Sequence, residues 1–533
     1  MKRLLWVFAL LALLCLAGCF EGTTEGTKAA TTPKTEAEHV HQFTERVQDD
    51  AYLAETPVCG QQRIYYYSCA CGERGTLVFA GDVEPHAYSV SVTDAGLIEQ
   101  ARCTNPGCGH TEQVNVKLPA LGTLRGAFSC SDSSYQDVDS AKIFWYDKCE
   151  SADFDGYCRF LQSNGCRQTA TYAMGDNRYA LYQGDAFTVY LSYLSGEKAI
   201  RIYVGRSDDP VPSKIYQGDD AGAVQPALWQ INVDCQAAKA NGGMSYVLQL
   251  SDGKFIVIDG GYETDADANS IYRILSENKP QTHEKPIIAG WFITHMHIDH
   301  CGTLRRFASL YGDKVGVEGF YYNFPYVNVG DIWPSNSKTW ETLMASFEGA
   351  TLYRKLHSGM QFGFCGATVT VLCTFEDAYP LSLTDGNDTS TVFKIDVAGQ
   401  SILFLGDAEY GESDRMMYLP SETLKADILQ YAHHGYDKQC RGELYAKIDP
   451  ETVLWPMTIV NWESDSYGEV FRPRYEGTPS NSRKENAWIR DAAGVKKIIV
   501  MAEGTTKLEL PYVPTGPRNA DYNALYQAQR PKN

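Results

Sequence analysis

Ile287-Ile-Ala-Gly-Trp-Phe-Ile-Thr294-His295-Met-His297-Ile-Asp299-His300-Cys-Gly302 decides the fold of this chain. Its first seven residues are apolar or glycine, the length and composition of a strand buried on both faces. Three imidazoles and one carboxylate then follow within six residues, in a chain of 533 that holds only 11 histidines. Where the strand opens into a loop, alternation places His295 and His297 on one side, and Asp299 and His300 fall on the turn into the next helix. Near neutral pH such a set presents mostly unprotonated nitrogens and suits Zn²⁺ or a similar borderline cation. So many polar groups at the end of a buried strand are costly unless a ligand or solvent meets them.

Outward from this stretch, apolar runs alternate with helical periodicity from about 229 to 515. Tyr246-Val-Leu-Gln-Leu and Phe255-Ile-Val-Ile flank the turn at Ser251-Asp-Gly-Lys, and further buried strands are predicted at Thr368-Val-Thr-Val-Leu and Ser401-Ile-Leu-Phe-Leu. Thr303 to Tyr311 and Trp340 to Phe347 read as helices. This is an α/β pattern in which sheets are covered by helices.

Thr294-His-Met-His-Ile-Asp-His-Cys-Gly302 resembles the signature of the metallo-β-lactamase superfamily. Three more stretches follow that family's order. Ile256-Val-Ile-Asp259-Gly-Gly261 resembles its upstream strand-end aspartate, and Phe404-Leu-Gly-Asp407 the motif whose aspartate bridges two metals. Ala426-Asp-Ile-Leu-Gln-Tyr-Ala-His433-His434-Gly435 resembles its last metal-binding motif. The resemblance covers about 280 residues and implies an αββα sandwich holding two divalent ions, Zn²⁺ first, with Mn²⁺ or Fe²⁺ as alternatives. It implies that His295 and His297 hold the first metal, Asp299 and His300 the second, and that Asp407 bridges them. His433 or His434 completes the second site, His434 being favoured. The other histidine is left to contact substrate or donate a proton. Asp299 orients the attacking water, and Asp259 stands behind the ligands and fixes an imidazole or the loop.

One position departs from the commonest pattern. Where many members carry another histidine ligand, this chain reads Gly386-Asn387-Asp388-Thr389-Ser390-Thr391. That version resembles a branch including the hydrolase domain of bacterial DNA-uptake channels and surface choline-phosphate esterases. Asn387 is then a weak ligand, a hydrogen-bond donor or a turn residue starting the strand.

Other residues carry weaker expectations. Glu409 reads as a solvated loop carboxylate, Cys301 as a small packing residue, and His283 and His357 as surface residues. Tyr321, Tyr322, Phe324, Tyr326 and Trp333 read as a packed hydrophobic flap ahead of a cation–π cage for a quaternary ammonium.

The N-terminus reads as an export signal. Met1-Lys2-Arg3 is basic, Leu4 to Leu16 is apolar but short for a membrane span, and Leu16-Ala17-Gly18-Cys19 resembles the lipobox of bacterial lipoproteins. That resemblance implies cleavage before Cys19, lipidation of its thiol, and a folded part anchored outside the cytoplasm. An ordinary secretory signal is the alternative. The expected organisation is signal peptide 1–19, flexible Thr-rich tether 20–38, Cys/His-rich module or modules 39–118, β-rich accessory region 119–228, hydrolase domain 229–515 and tail 516–533.

Within 39–118, His41-Gln-Phe, Cys59 and Cys69-Ala-Cys71-Gly precede a degenerate second copy, His86-Ala-Tyr to Cys103 and Cys108-Gly-His110. Such short units need staples. A zinc-ribbon-like structural site using Cys59, Cys69 and Cys71 is favoured, and disulfides are the competing reading for an exported chain. In 119–228, Phe187-Thr-Val-Tyr-Leu-Ser-Tyr-Leu and Ala199-Ile-Arg-Ile-Tyr-Val-Gly read as a hairpin, and Cys130, Cys149, Cys158 and Cys166 are disulfide candidates.

The formal net charge of −19 repels polyanions, and no Lys/Arg cluster offsets it. The expected function is hydrolysis of a small-molecule or cell-envelope phosphodiester or related ester, with nucleic acid disfavoured as a partner. The competing readings are an extracellular nuclease, a lactonase or β-lactamase, and a non-catalytic surface-binding protein.

Overall fold

The structure is a computed structural model. It describes residues 40–521 and 524, apart from 87, 93–97, 104, 117–122, 130–141, 186, 208, 213–223, 239–241, 379–382, 384, 437, 458–485, 487, 490 and 491. The stretches read as a signal with Cys19 and as a tether at 20–38, together with Cys130, lie outside the described residues. Among the described residues no helix is long and apolar enough to cross a membrane.

The chain divides into two compact units, residues 1–84 and 85–533. In the first, strands Gln62–Ser68 and Arg74–Val83 pair antiparallel. Its buried apolar residues among those described are Tyr65, Cys69 and Phe79, a small core for a folded unit.

The second unit carries the sandwich. One sheet has the order Thr351–Tyr353, Gly319–Tyr321, Ile287–Phe292, Phe255–Asp259, Ser245–Gln249, Ala227–Gln230, Thr506–Glu509, with Gly316–Val317 paired beside Ile287–Phe292. The other runs Gln361–Phe364, Ala367–Cys373, Val392–Val397, Gln400–Phe404, Ile428–Gln430, Thr452–Trp455, Lys497–Val500. Strand Phe255–Asp259 shows why its sequence is apolar throughout. Ile256 and Ile258 join the core between the sheets, and Phe255 and Val257 join the core under the helices. Each such side chain, fully buried, contributes about 1.5–3 kcal/mol.

Helix Asp265–Asn278 starts where the Thr264 hydroxyl accepts from the Asp267 backbone N–H, and buries Ala268, Ile271, Ile274 and Leu275 at helical spacing. Helix Thr303–Tyr311 has the expected bounds and buries Leu304 and Phe307. The helix expected at 340–347 instead spans Pro334–Met344. Pro334 fits its first turn, and the Asn336 side chain accepts from the Trp333 N–H at 2.9 Å to close the start.

The hairpin read at 187–205 is present as Phe187–Leu194 against Ala199–Arg206, in register. It is the middle of a six-stranded antiparallel sheet that also includes Thr123–Ser129, Lys142–Asp147, Arg167–Met174 and Asn177–Gln183. Helix Ser151–Ser163 covers one face with Phe154, Tyr157 and Leu161. The other face, with Trp145, Tyr179, Tyr190 and Tyr203, packs into the same core as the sandwich. Burial on both sides is why all eight residues of Phe187–Leu194 are buried or nearly so.

A polar network stitches this seam. Arg201, fully buried, pairs with Asp377 and donates to the Ser358 hydroxyl at 3.0 Å, and the Tyr190 hydroxyl donates to the Ser358 carbonyl at 2.9 Å. His357 belongs here and not on the surface. It is 3% exposed, bonds the Glu376 carboxylate through Nδ1 at 2.6 Å, and stacks on Tyr190 at 4.6 Å. The isolated look of His357 in the sequence reflects partners from separate elements, Glu376 on the short helix Phe375–Ala378 and Tyr190 on the six-stranded sheet.

Removing the guanidinium leaves the Asp377 charge buried and unpaired. Arg201→Ala is therefore expected to destabilise the second unit by about 3–5 kcal/mol in chemical denaturation. Burial opposes the Glu376 charge, yet His357, Arg201 and Lys355 lower its pKa from 4.5 to about 2. The stability it confers is full above pH 4.5 and lost as pH falls towards 2, so the gap between wild type and Glu376→Gln should close across that window.

Candidate metal centre

Four strand ends deliver the site. Phe255–Asp259 ends in Asp259, Ile287–Phe292 runs into Thr294 and His295, Gln400–Phe404 into Gly406 and Asp407, and Ile428–Gln430 into the His433-His434 corner. Ligand sites of open α/β sheets lie beyond the carboxyl ends of their strands.

Asp259 is completely buried and sits at φ 51°, a conformation uncommon outside glycine. Its carboxylate accepts from the Thr294 N–H at 2.8 Å and the Thr294 hydroxyl at 2.7 Å, and meets His300 Nδ1 at 2.7 Å. With Nδ1–H engaged, His300 presents Nε2 to the site. His434 is set the same way, its Nδ1 donating to the Pro456 carbonyl at 2.9 Å.

The atoms these supports aim inward converge. Asp299, His300, Asp407 and His434 each place one ligand-type atom within 4.8 Å of the others, and His295, His297 and Asp407 do the same. Asp407 is common to both sets. His434, not His433, joins the cluster with Asp299 and His300; its Nε2 lies 3.3 Å from both Asp299 and Asp407. His300 Nε2, His434 Nε2 and Asp407 Oδ1 are all buried and lack a properly aligned hydrogen-bond partner. Buried polar atoms left so are expensive, and a shared cation would satisfy all of them, so the donor set fits a metal centre.

The electrostatics agree with that fit. Burial opposes charge on His300, yet Asp407, Asp259 and Asp299 hold its imidazole well above the ordinary range. His434 is raised to about 9, with Asp407 and Asp299 outweighing burial. His295 is pushed well below the usual value by burial and by His300 and His297. The carboxylates thus draw positive charge to His300 and His434, and the His295 imidazole stays neutral.

His433 and His434 occupy consecutive left-handed conformations, φ 47° and 51°. Such residues cost about 1–3 kcal/mol each and persist where surroundings enforce them. The corner continues into Gly435 at φ 80°, where a Cβ would meet the Trp455 ring at 2.7 Å. The turn aims His434 into the cluster and His433 elsewhere, with His433 Nε2 lying 3.1 Å from the Asn387 amide. Asn387 also donates to Glu409 at 3.1 Å, which makes it a hydrogen-bonding residue of the corner. Glu409 is buried, contrary to the solvated carboxylate expected, and burial raises its pKa to about 7.

Several site residues gave no signal in the sequence. Asp331 meets His297 Nε2 at 3.2 Å from within the aromatic stretch, between Tyr326 and Trp333, and Thr294 links Asp259 to the metal loop. Tyr321, Tyr322, Phe324 and Tyr326 are buried as packing, and Trp333 is exposed. Cys301 is fully buried and hydrogen-bonds the Met296 carbonyl. In the first unit, Cys69 and Cys71 come together with His41, and Cys59 lies outside that cluster. Cys158 and Cys166 carry unbridged thiols.

Residues 238–341 match the family model described as the metallo-β-lactamase superfamily, so this part of the chain is a domain of that superfamily. No curated protein matches. Among solved structures, the chain is similar to a metallo-β-lactamase with a HARLDQ motif from Cronobacter sakazakii: 17% identity, 39% of this chain and 76% of that one, TM-score 0.24. It is similar to CmlA, a diiron β-hydroxylase from Streptomyces venezuelae, at 14% identity, with 56% of this chain, 55% of that one and TM-score 0.33. Zn²⁺-bound PqqB from Methylobacterium extorquens gives 11% identity, 38% of this chain, 72% of that one and TM-score 0.25. The chain thus spans about half the length of CmlA.

Gly386 abuts the first ligand set, since a Cβ there would lie 2.3 Å from His297 Nε2 and 2.8 Å from Ile332. Gly386→Ala is expected to displace His297 and weaken one bound cation about 10–100-fold, read by competition with a chelator. The second cation should remain.

Proposed function

We propose that the chain is an extracytoplasmic, lipid-anchored hydrolase that uses two divalent cations against a phosphodiester or related ester. The observation that carries this reading is that His300 Nε2 and His434 Nε2, both buried without an aligned hydrogen-bond partner, lie 3.1 and 3.3 Å from Asp407 Oδ2 in one ligand-type cluster. His295, His297 and Asp407 would hold one cation, and Asp299, His300, Asp407 and His434 the other, with Zn²⁺ favoured by this N/O donor set. Cations bound there supply an activated water and stabilise charge developing on the attacked group.

The chain's own groups do the rest. Asp259 and the Pro456 carbonyl lock the His300 and His434 rings, so neither must reorganise when substrate arrives. Asp299, 21% exposed at its side chain, is the cluster's most accessible carboxylate and the one placed to orient a water. His433 remains partly exposed at 18% while the Asn387 amide holds its Nε2, so it is the imidazole left to meet substrate. The Asn387-Asp388-Thr389-Ser390 stretch supports the phosphodiester branch, and the −19 charge supports a small or envelope-borne substrate over a nucleic acid. The Leu16-Ala17-Gly18-Cys19 stretch supports lipidation at Cys19 and an anchor outside the cytoplasm.

A panel of bis-aryl phosphate, aryl phosphorylcholine, single-stranded DNA, lactone and cephalosporin tests the substrate class. Turnover of the phosphate esters is expected, and turnover of only the lactone or cephalosporin would overturn it. Asp407→Ala is expected to lower that turnover by at least about 10³-fold, because it removes the carboxylate common to both ligand sets. Retained activity in that variant would place the chemistry elsewhere.

A further inference from the structure

The first unit holds a second, separate group of metal-ligating side chains. Strand Gln62–Ser68 ends one residue before Cys69, and strand Arg74–Val83 begins after Glu73, so Cys69 and Cys71 both sit on the hairpin tip. The tip is closed by the Cys69 N–H donating to the Glu73 carbonyl at 2.9 Å and the Gly72 N–H donating to the Cys69 carbonyl at 2.8 Å. Gly72 takes φ 88°, which a side chain would resist. His41 is brought to this tip by reciprocal backbone bonds between Glu45 and Ser68, both 2.9 Å. Its Nδ1 then lies 3.3 Å from Cys71 Sγ, and one ligand atom from each of His41, Cys69 and Cys71 lies within 4.8 Å of the others.

The same device recurs within the second unit. Strand Ile98–Cys103 ends at its own cysteine, and the Cys103 N–H donates to the His110 carbonyl at 2.9 Å across the tip. Cys108 N–H donates to Asn105 at 3.0 Å, and Gly107 takes φ 77°. His86, from just before strand Tyr88–Val92, which pairs antiparallel with Ile98–Cys103, places Nδ1 3.4 Å from Cys108 Sγ, and His86, Cys103 and Cys108 again lie within 4.8 Å of one another.

We infer that each tip holds one thiolate-seeking cation, Zn²⁺ by its chemistry. His41, Cys69 and Cys71 are the ligands of one, and His86, Cys103 and Cys108 are ligands of the other. Two soft sulfur donors and an imidazole select such an ion over the hard oxygen-seeking cations. A small buried core is what makes such a staple necessary, and the first unit buries only Tyr65, Cys69 and Phe79 among its described apolar side chains. A Cys69–Cys71 disulfide explains less. It closes a loop of minimal length, which constrains the unfolded chain little, and it gives His41 no part. These ions are structural and independent of the hydrolytic reading.

Cobalt substitution tests this on the full chain, because the His/Asp centre has no sulfur ligand and is silent in the thiolate-to-Co²⁺ charge-transfer band. The reduced, Co²⁺-loaded chain is expected to show that band. Cys71→Ser and Cys108→Ser should each remove roughly half of it, and the double variant all of it. His41→Cys should retain the band, which separates lost ligation from lost folding, and Cys158→Ser should leave it unchanged. Absence of the band, a band untouched in the double variant, or an oxidised Cys69–Cys71 pair in the intact mass of the native chain would overturn the assignment.

Discussion

A carboxylate that cannot reach water must be satisfied by the protein, and Asp259 is satisfied by three groups of one loop. The Thr294 N–H and hydroxyl and the His300 imidazole all spend their hydrogen bonds on it. The contact joins the ends of two adjacent parallel strands, Phe255–Asp259 and Ile287–Phe292, and fixes the loop that follows the second. It also decides which nitrogen of His300 faces the site. Everything downstream, including the spacing of His295, His297 and Asp299, inherits its geometry from this buried anchor. The left-handed backbone of Asp259 is sustained because three partners hold its carboxylate in place.

Much of this was legible in the sequence, and the reason is locality. The strands around 255 and 287 announce themselves because burial on both faces demands unbroken apolar runs, and His295 to His300 are close along the chain. The mixed α/β architecture follows from the same periodicity. Parts of the site assembled from separate strand ends were harder to read. His433 and His434 are adjacent and chemically identical, and only two successive left-handed residues show which one turns inward. Glu409 and His357 looked like solvent-facing residues because their partners, Asn387 and Glu376, lie 22 and 19 positions away with nothing local to mark the pairing. The helix at 334 began earlier than its apolar spacing indicated, because Pro334 and Asn336 act through the backbone.

The two kinds of polar burial in the second unit serve different ends. Around Arg201, Asp377, Ser358 and Glu376, buried charge meets opposite charge. At the metal centre His300 Nε2, His434 Nε2 and Asp407 Oδ1 remain buried without an aligned hydrogen-bond partner. The first arrangement holds two layers in register. The second stores an unmet demand for positive charge.

The six-stranded sheet has a consequence for how this chain can vary over evolutionary time. One of its faces is continuous with the core of the sandwich, through Trp145, Tyr190 and Tyr203. A lineage that lost residues 123–206 by recombination would expose that apolar seam and leave Asp377 without Arg201. The sheet and the sandwich therefore depend on each other for burial, and removing either would expose the apolar face of the other.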